Sequence, residues 1–103
     1  MKRLLITMTL AALASASAFA ATPEDMLKKS GCLACHSKDR KIVGPSYKDV
    51  AAKYKNQDVK AKLFEKVRKG GSGVWGPVPM PPHTPGQISD ADLKTVIDWI
   101  VKQ

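Results

Sequence analysis

Two cysteines and a histidine fall within one short stretch of this 103-residue chain, and no other feature restricts its fold as strongly. The stretch reads Cys32-Leu33-Ala34-Cys35-His36 and matches the C-x-x-C-H pattern of covalent haem attachment. Two intervening residues let both thiols form thioethers at one edge of the porphyrin, and the adjacent imidazole then reaches the iron from one face. The motif predicts one covalent haem c held by Cys32 and Cys35, with His36 as an axial ligand of the iron.

Three other uses of the motif stay open. A thioredoxin-like redox pair would need a βαβ setting, for which the sequence gives no sign. A disulfide would close a very short loop and add little stability. Cys32, Cys35, His36 and the distant His83 would complete a four-ligand zinc site, although the adjacent Cys35 and His36 would have difficulty reaching one ion.

The sixth position of a haem iron needs a second ligand, and Met80 is the candidate. Its thioether can bind iron, and methionine with histidine is the ligand pair of cytochromes c. Four prolines stiffen its surroundings because each fixes the backbone φ angle: Pro77, Pro79, Pro81 and Pro82. Met26 is expected to pack against the core instead. His83 is the alternative ligand, and it would give a bis-histidine haem of lower potential.

The N-terminal part has the layout of a secretory signal peptide. Two basic residues are followed by an apolar run from Leu4 to Leu13, and Ala18-Phe19-Ala20 offers the small side chains that a signal peptidase reads. Residues 1–20 are therefore expected to be removed after Ala20, or alternatively after Ala18, which places the protein in the periplasm. A permanent membrane anchor is the alternative, but the run reaches spanning length only if its Ser/Ala-rich tail is counted.

Cleavage leaves one small domain, residues 21–103, with an excess of positive charge. The net charge falls from +8 to +6, because two basic residues and no acidic residue are lost. An exported basic protein is expected to meet acidic protein surfaces rather than nucleic acid. Two groups of cations are candidate docking surfaces, or simply solvated faces: Lys38, Arg40 and Lys41 after the motif, and Lys62, Lys66 and Lys69 on one helix.

Helix signals dominate this domain. They predict helices over residues 23–30, 47–54 and 58–69, with a fourth after the N-cap residue Ser89. Between the third and fourth helices, residues 70–87 contain five glycines and five prolines and are expected to form an ordered loop. The sequence thus predicts an all-α domain with about four helices around one covalently attached haem.

Three segments together resemble the small class I bacterial cytochromes c of the c-551/c-552 type. They are 31–36 around the motif, 43–54 beginning Val-Gly-Pro-Ser-Tyr, and 73–82 reading Gly-Val-Trp-Gly-Pro-Val-Pro-Met-Pro-Pro. The resemblance covers residues 22–103 and implies the cytochrome c fold, with His36 and Met80 as axial ligands. It also implies that the Pro45 carbonyl accepts a hydrogen bond from His36, and that the Trp75 indole binds a haem propionate.

The resemblance further implies a monomeric periplasmic electron carrier that is not an enzyme. Such a protein passes one electron at a time from a membrane donor complex to a periplasmic reductase or oxidase. Two other functions stay open. One is a peroxidase or sensor whose haem iron has an open sixth coordination position, and the other is a subunit of a larger respiratory complex. Two residues depart from the family pattern: Lys66 stands where members often carry an arginine that meets a propionate, and His83 stands where many carry asparagine.

Overall fold

The computed structural model describes residues 21–103, and the expected signal peptide lies outside the described residues. The described part is mostly helical, as predicted. Its helices are α1 (Pro23–Lys29), α2 (Tyr47–Lys53), α3 (Lys60–Lys69) and α4 (Asp90–Ile100). A short 3₁₀ turn, Cys32–Ala34, follows α1, and two short strands lie between α3 and α4.

Polar caps determine where three of the helices begin. The Thr22 hydroxyl accepts a hydrogen bond from the Asp25 N–H, and the Asp25 carboxylate accepts one from the Thr22 N–H, which forms a capping box at α1. Ser46 and Ser89 cap α2 and α4 in the same position, because each accepts a hydrogen bond from the third residue of its helix. These caps are why the predicted starts of α1, α2 and α4 agree with the structure.

The start of α3 was predicted two residues too early. The expected first residue, Asp58, lies outside the helix, and Val59 occupies the N-cap position, where its apolar side chain cannot accept a hydrogen bond from the first turn. Val59 is instead buried in the core. The apolar spacing correctly predicted the buried face of the helix but could not define its first residue.

The core is built on one face of α4. Helices α1, α2 and α3 all pack against α4. Their buried side chains, such as Leu27 of α1 and Val50 of α2, belong to one apolar cluster with α4. The α4 members of this cluster are Leu93, Val96, Ile97 and Ile100. Their spacing of three and four residues places them on one side of the helix, as the sequence predicted.

The prediction of a loop without strands after α3 was wrong in part. Strands β1 (Gly71–Gly73) and β2 (Gly76–Met80) form a small antiparallel ribbon, in which Gly71 pairs with Met80 and Gly73 with Gly76. Prolines concealed this ribbon, since they are rare inside sheets. Pro77 and Pro79 are two residues apart, so the backbone nitrogens of both can face the edge of β2 that has no partner strand. At that edge the lack of an N–H costs the ribbon no hydrogen bond.

Among residues 21–103, no helix combines the length and the apolar content needed to span a membrane.

Candidate functional site

One open cleft brings the predicted site residues together. It contains about 1300 Å³ of empty space, including the part that opens to solvent. The lining includes every residue that the sequence and the resemblance assigned to the site: Cys32, Cys35, His36, Pro45, Trp75 and Met80.

The two cysteines are placed by the 3₁₀ turn. Gly31 precedes this turn with a φ of 80°, a left-handed conformation that glycine adopts without steric cost. The Cys32 carbonyl then accepts hydrogen bonds from the N–H groups of Cys35 (3.2 Å) and His36 (3.0 Å). The motif is thereby folded into one compact turn, and all three of its functional side chains reach the same cleft.

Cys32 and Cys35 are not joined to each other by a disulfide. The disulfide alternative is therefore not formed in this structure. The zinc alternative is not assembled either, because no group of three or more His, Cys, Asp or Glu side chains within residues 21–103 could hold a metal ion. A thioredoxin-like setting is also missing from the described part of the chain, where the two strands form an antiparallel hairpin and no βαβ unit.

One hydrogen bond holds the His36 imidazole in its orientation. Its Nδ1 lies 2.7 Å from the carbonyl oxygen of Pro45, which is the contact that the resemblance implied. A carbonyl can only accept, so Nδ1 carries the proton, and the lone pair of Nε2 in the neutral ring is free to bind a metal. The Gly44 N–H donates to the Cys35 carbonyl (2.7 Å), which brings the Pro45 carbonyl beside the motif.

Gly44 and Tyr47 also restrict the imidazole. The Tyr47 ring stacks on it with centroids 5.1 Å apart and planes inclined by 19°. Trp99 in turn meets the Tyr47 ring edge-on at 5.9 Å. A methyl group on Gly44 would lie only 2.5 Å from Cε1 of His36, so the backbone touches the ring at a place where only glycine fits. Sequence reasoning did not assign these positioning roles to Gly44 and Tyr47.

Met80 ends β2 and lines the same cleft as His36. Its backbone is held at the C-terminus of α3, where the Met80 carbonyl oxygen occupies the place that a side chain on Gly70 would need. Gly70 has φ 68° and ψ −158°, a conformation that is essentially restricted to glycine. The Gly-Gly pair after α3 was predicted to end the helix, and the structure adds this close approach to Met80.

His83 is absent from the lining of the cleft, although it is only three residues from Met80. Its Nδ1 lies 2.9 Å from the Pro81 carbonyl oxygen, within its own segment. Lys66 does line the cleft, whereas Met26 packs against the apolar core as expected. The structure thus favours Met80 over His83 as a residue that can reach a group in the cleft.

Several exposed apolar side chains form the walls of the cleft. Val43, Val74, Trp75 and Val78 line it and are each exposed by 41–59%. Trp75 also lies under the ammonium group of Lys53, 5.4 Å from the ring centroid. Exposed apolar side chains that surround one cleft are typical of a binding site. Together with two thiols and an imidazole, they suit a flat apolar group that is attached through sulfur and coordinated by nitrogen, and the residues fit a haem.

Comparisons with known proteins point the same way. A family model described as "Cytochrome C oxidase, cbb3-type, subunit III" matches residues 18–100. Cytochrome c2 of Rubrivivax gelatinosus is 52% identical over 83 residues, which cover 80% of this chain and 98% of the relative. Cytochrome c-551 of Pseudomonas aeruginosa is 46% identical over 87 residues, with coverages of 84% and 81%. The crystal structure of Nitrosomonas europaea cytochrome c552 superposes with a TM-score of 0.69 at 48% identity, covering 76% of this chain and 95% of that one.

The helical fold and the cleft with its two thiols define a haem-binding electron-transfer protein. With these relatives, the chain belongs to the small class I cytochromes c of the c-551/c-552 type. It therefore carries one covalent haem c and transfers electrons as a monohaem carrier rather than acting as an enzyme.

Proposed function

We propose that this cytochrome is a periplasmic one-electron carrier whose iron is bound by His36 and Met80, with thioether bonds from Cys32 and Cys35. The observation that carries the proposal is the arrangement of one cleft. Cys32, Cys35, His36 and Met80 all line it, although Met80 is distant from the motif in sequence. Bound haem supplies an iron that cycles between the ferric and ferrous states.

The residues around His36 keep the iron environment constant while the charge changes. The Pro45 carbonyl holds the imidazole by its Nδ1–H, which fixes the ring and raises its basicity as a ligand. Tyr47 and Gly44 close on the same ring from neighbouring positions. A ligand that cannot move costs little reorganisation when an electron arrives, and this suits fast electron transfer.

Met80 supplies the second ligand in this proposal. A thioether is a soft ligand that favours ferrous iron, so the reduction potential is expected to be high relative to a bis-histidine haem. Two observations support Met80 over His83. Met80 lines the cleft, and the His83 ring has its hydrogen bond within its own loop, on the Pro81 carbonyl. The Trp75 indole, also in the lining, is proposed to donate to a haem propionate.

An optical spectrum of the oxidised holoprotein tests the ligand pair. We expect a weak sulfur-to-iron band at the red end in the wild type, its loss in Met80→Ala, and its retention in His83→Ala, which serves as the matched control. Met80→Ala should also bind carbon monoxide readily in the reduced state. If the band survives in Met80→Ala, or disappears only in His83→Ala, Met80 is not the ligand.

Partners are proposed to be acidic redox proteins, and the structure distinguishes the two basic groups. On α3, Lys69 pairs with Glu65, Lys62 lies over the Tyr54 ring and Lys66 lines the cleft. These three cations therefore do not form one free surface. We infer that docking uses the group that follows the motif.

Lys41 of that group lines the cleft, as Lys66 does, so it is left out. The docking surface proposed here consists of Leu33, Lys38, Arg40 and Ile42. Leu33 and Ile42 are 40% and 50% exposed, and all four residues line a shallow groove beside the motif. A partner with carboxylates around an apolar centre would complement it. Weak redox complexes of this kind are small and sensitive to salt.

Electron-transfer rates with a purified acidic redox protein test this surface. The rate should fall as salt rises, and a Lys38→Glu/Arg40→Glu double variant should lose both the rate and its salt dependence. Lys94→Glu/Lys102→Glu, at two exposed positions in and just after α4, changes the net charge by the same amount; it is the control and should change the rate little. Equal effects of the two charge changes would show that only net charge matters and that this surface is not the docking site.

A role as a subunit of a larger respiratory complex is the second candidate. The observation that favours it is the description of the matching family model, which names an oxidase subunit. Gel filtration of a native extract separates the two functions. A free carrier elutes as a small monomer, and a subunit elutes with a large complex.

The periplasmic location is proposed from the signal-peptide pattern in residues 1–20. N-terminal sequencing of the mature protein is expected to begin at Ala21. A mature chain that starts at Met1 would contradict both the cleavage and the domain boundary.

A further inference from the structure

Arg68, near the end of α3, has a side chain that is only 13% exposed and makes several polar contacts. Its guanidinium donates to the backbone carbonyls of Ile88 (2.9 Å) and His83 (3.3 Å) and pairs with the Asp90 carboxylate. The same group stacks over the Phe64 ring, with its central carbon 5.2 Å from the centroid. Arg68 thus joins α3 to the segment that connects β2 with α4.

That segment starts at Met80 and has few backbone donors of its own. Pro81, Pro82 and Pro85 have no N–H, so they cannot anchor the chain by backbone hydrogen bonds. The hydrogen bonds from the His83 ring and the Thr84 N–H stay within the segment. Groups outside the segment must therefore supply many of the hydrogen bonds that hold it in place.

The last turns of α3 provide this anchoring. The Val67 carbonyl accepts a hydrogen bond from the His83 N–H (2.9 Å), and Arg68 holds the carbonyl of the same residue. Both polar groups of the His83 backbone are thus bound to α3. Met80 lies three residues before His83, and its carbonyl is in direct contact with Gly70 at the end of α3. A movement of the Met80 backbone away from the cleft would therefore disturb these contacts with α3.

We propose that Arg68 is a positioning residue for Met80: by holding the His83 and Ile88 carbonyls on α3, it keeps the Met80 thioether at the iron. The inference rests on the proposed ligation by Met80. One terminal nitrogen of the planar guanidinium fork donates to both carbonyls, while the other terminal nitrogen pairs with Asp90. A lysine ammonium is a single point donor without this fixed fork, so it cannot keep all three contacts in the same geometry. Loss of the fork should increase the frequency with which the Met80 segment opens.

Binding of imidazole to the ferric holoprotein measures this opening, because an added ligand can reach the iron only after Met80 leaves. We expect Arg68→Met to raise the imidazole binding rate at least tenfold, and Arg68→Lys to raise it by a smaller factor. Hydrogen exchange at the His83 amide should accelerate in the same order. Arg68→Lys preserves the charge and the stem, so it keeps the test usable if Arg68→Met does not fold.

Two controls separate positioning from general stability. Asp90→Asn removes only the exposed ion pair and leaves the carbonyl contacts, so it should bind imidazole at the wild-type rate. Val59→Ala weakens the core at the opposite end of α3 and should lower the unfolding midpoint without a matching rise in rate. If the Arg68 variants lose stability but bind imidazole as slowly as the wild type, Arg68 is a structural staple and the inference is wrong. If the wild type itself binds imidazole at once and lacks the sulfur-to-iron band, the proposed function fails, and the inference fails with it.

Discussion

Replacement of Gly44 by alanine tests how strictly the backbone confines the His36 imidazole. The added methyl carbon would lie 2.5 Å from Cε1, 2.9 Å from Nδ1 and 3.1 Å from Nε2 of the ring. Ordinary contact begins near 3.4 Å, so the ring or the backbone must move by about 0.9 Å. The ring cannot retreat freely, because Pro45 holds its Nδ1 and Tyr47 stacks on one face.

The size of the effect follows from that displacement. Overpacking of this kind costs about 1–3 kcal/mol of folding free energy. Loss of the hydrogen bond to Pro45 would add about 0.5–1.5 kcal/mol. A weakened bond at Nδ1 also makes the imidazole less basic, which stabilises ferric iron less and should raise the reduction potential. Urea unfolding and a redox titration of the holoprotein measure the two effects.

Gly86→Ala is the matched control for Gly44→Ala. A methyl group there would have its nearest neighbour, the Thr84 hydroxyl oxygen, at 3.6 Å, and neither glycine requires a left-handed backbone. The control should be neutral or slightly stabilising, because alanine restricts the unfolded chain. If Gly44→Ala unfolds at the same urea concentration as Gly86→Ala and has the wild-type potential, the imidazole is not confined by this contact.

Two further predictions concern stability. Ser46→Ala should lower the free energy of unfolding by about 1–2 kcal/mol, because the buried hydroxyl that caps α2 is lost. Thr95→Ala, which removes an exposed helix hydroxyl, is the control, and an equally small change in Ser46→Ala would contradict the prediction. The hydrogen bond from Lys60 lowers the pKa of the exposed Asp98 carboxyl, and the same bond raises the pKa of Lys60. The small stabilisation from this pair should therefore be lost in acid, where Asp98 is protonated, and in strong base, where Lys60 is deprotonated. The urea midpoint measured against pH should fall in both ranges in the wild type, and this contribution should be absent in Asp98→Asn.

The sequence was sufficient for the features that depend on local chemistry. Capping residues such as Thr22 and Ser89 determine helix starts through hydrogen bonds made within four residues, and apolar spacing determines which side of α4 faces the core. The grouping of Cys32, Cys35 and His36 required only the geometry of one turn. Features of this kind can be predicted because the interacting residues are close in the sequence.

Long-range contacts between polar groups were not readable. Nothing in the sequence indicates that Arg68 would reach carbonyls fifteen and twenty residues away. The β1–β2 ribbon was not predicted because the prolines of β2 argue against a strand. They are compatible with one only if the edge of β2 away from β1 has no partner, which the sequence does not show. Gly44 could have been suspected from the Gly-Pro pair, but its contact with His36 depends on how segment 43–47 folds back on the motif.

The two proposed ligand residues are held by different means, and this difference has a functional consequence. His36 belongs to a compact turn and is confined by Pro45, Gly44 and Tyr47, whereas Met80 depends on contacts between the end of α3 and a segment rich in proline. Opening on the Met80 side breaks a few hydrogen bonds, while opening on the His36 side would disrupt the turn that carries Cys32 and Cys35, the proposed thioether residues. Added ligands should therefore always displace the methionine first, and the histidine should stay bound until the domain unfolds.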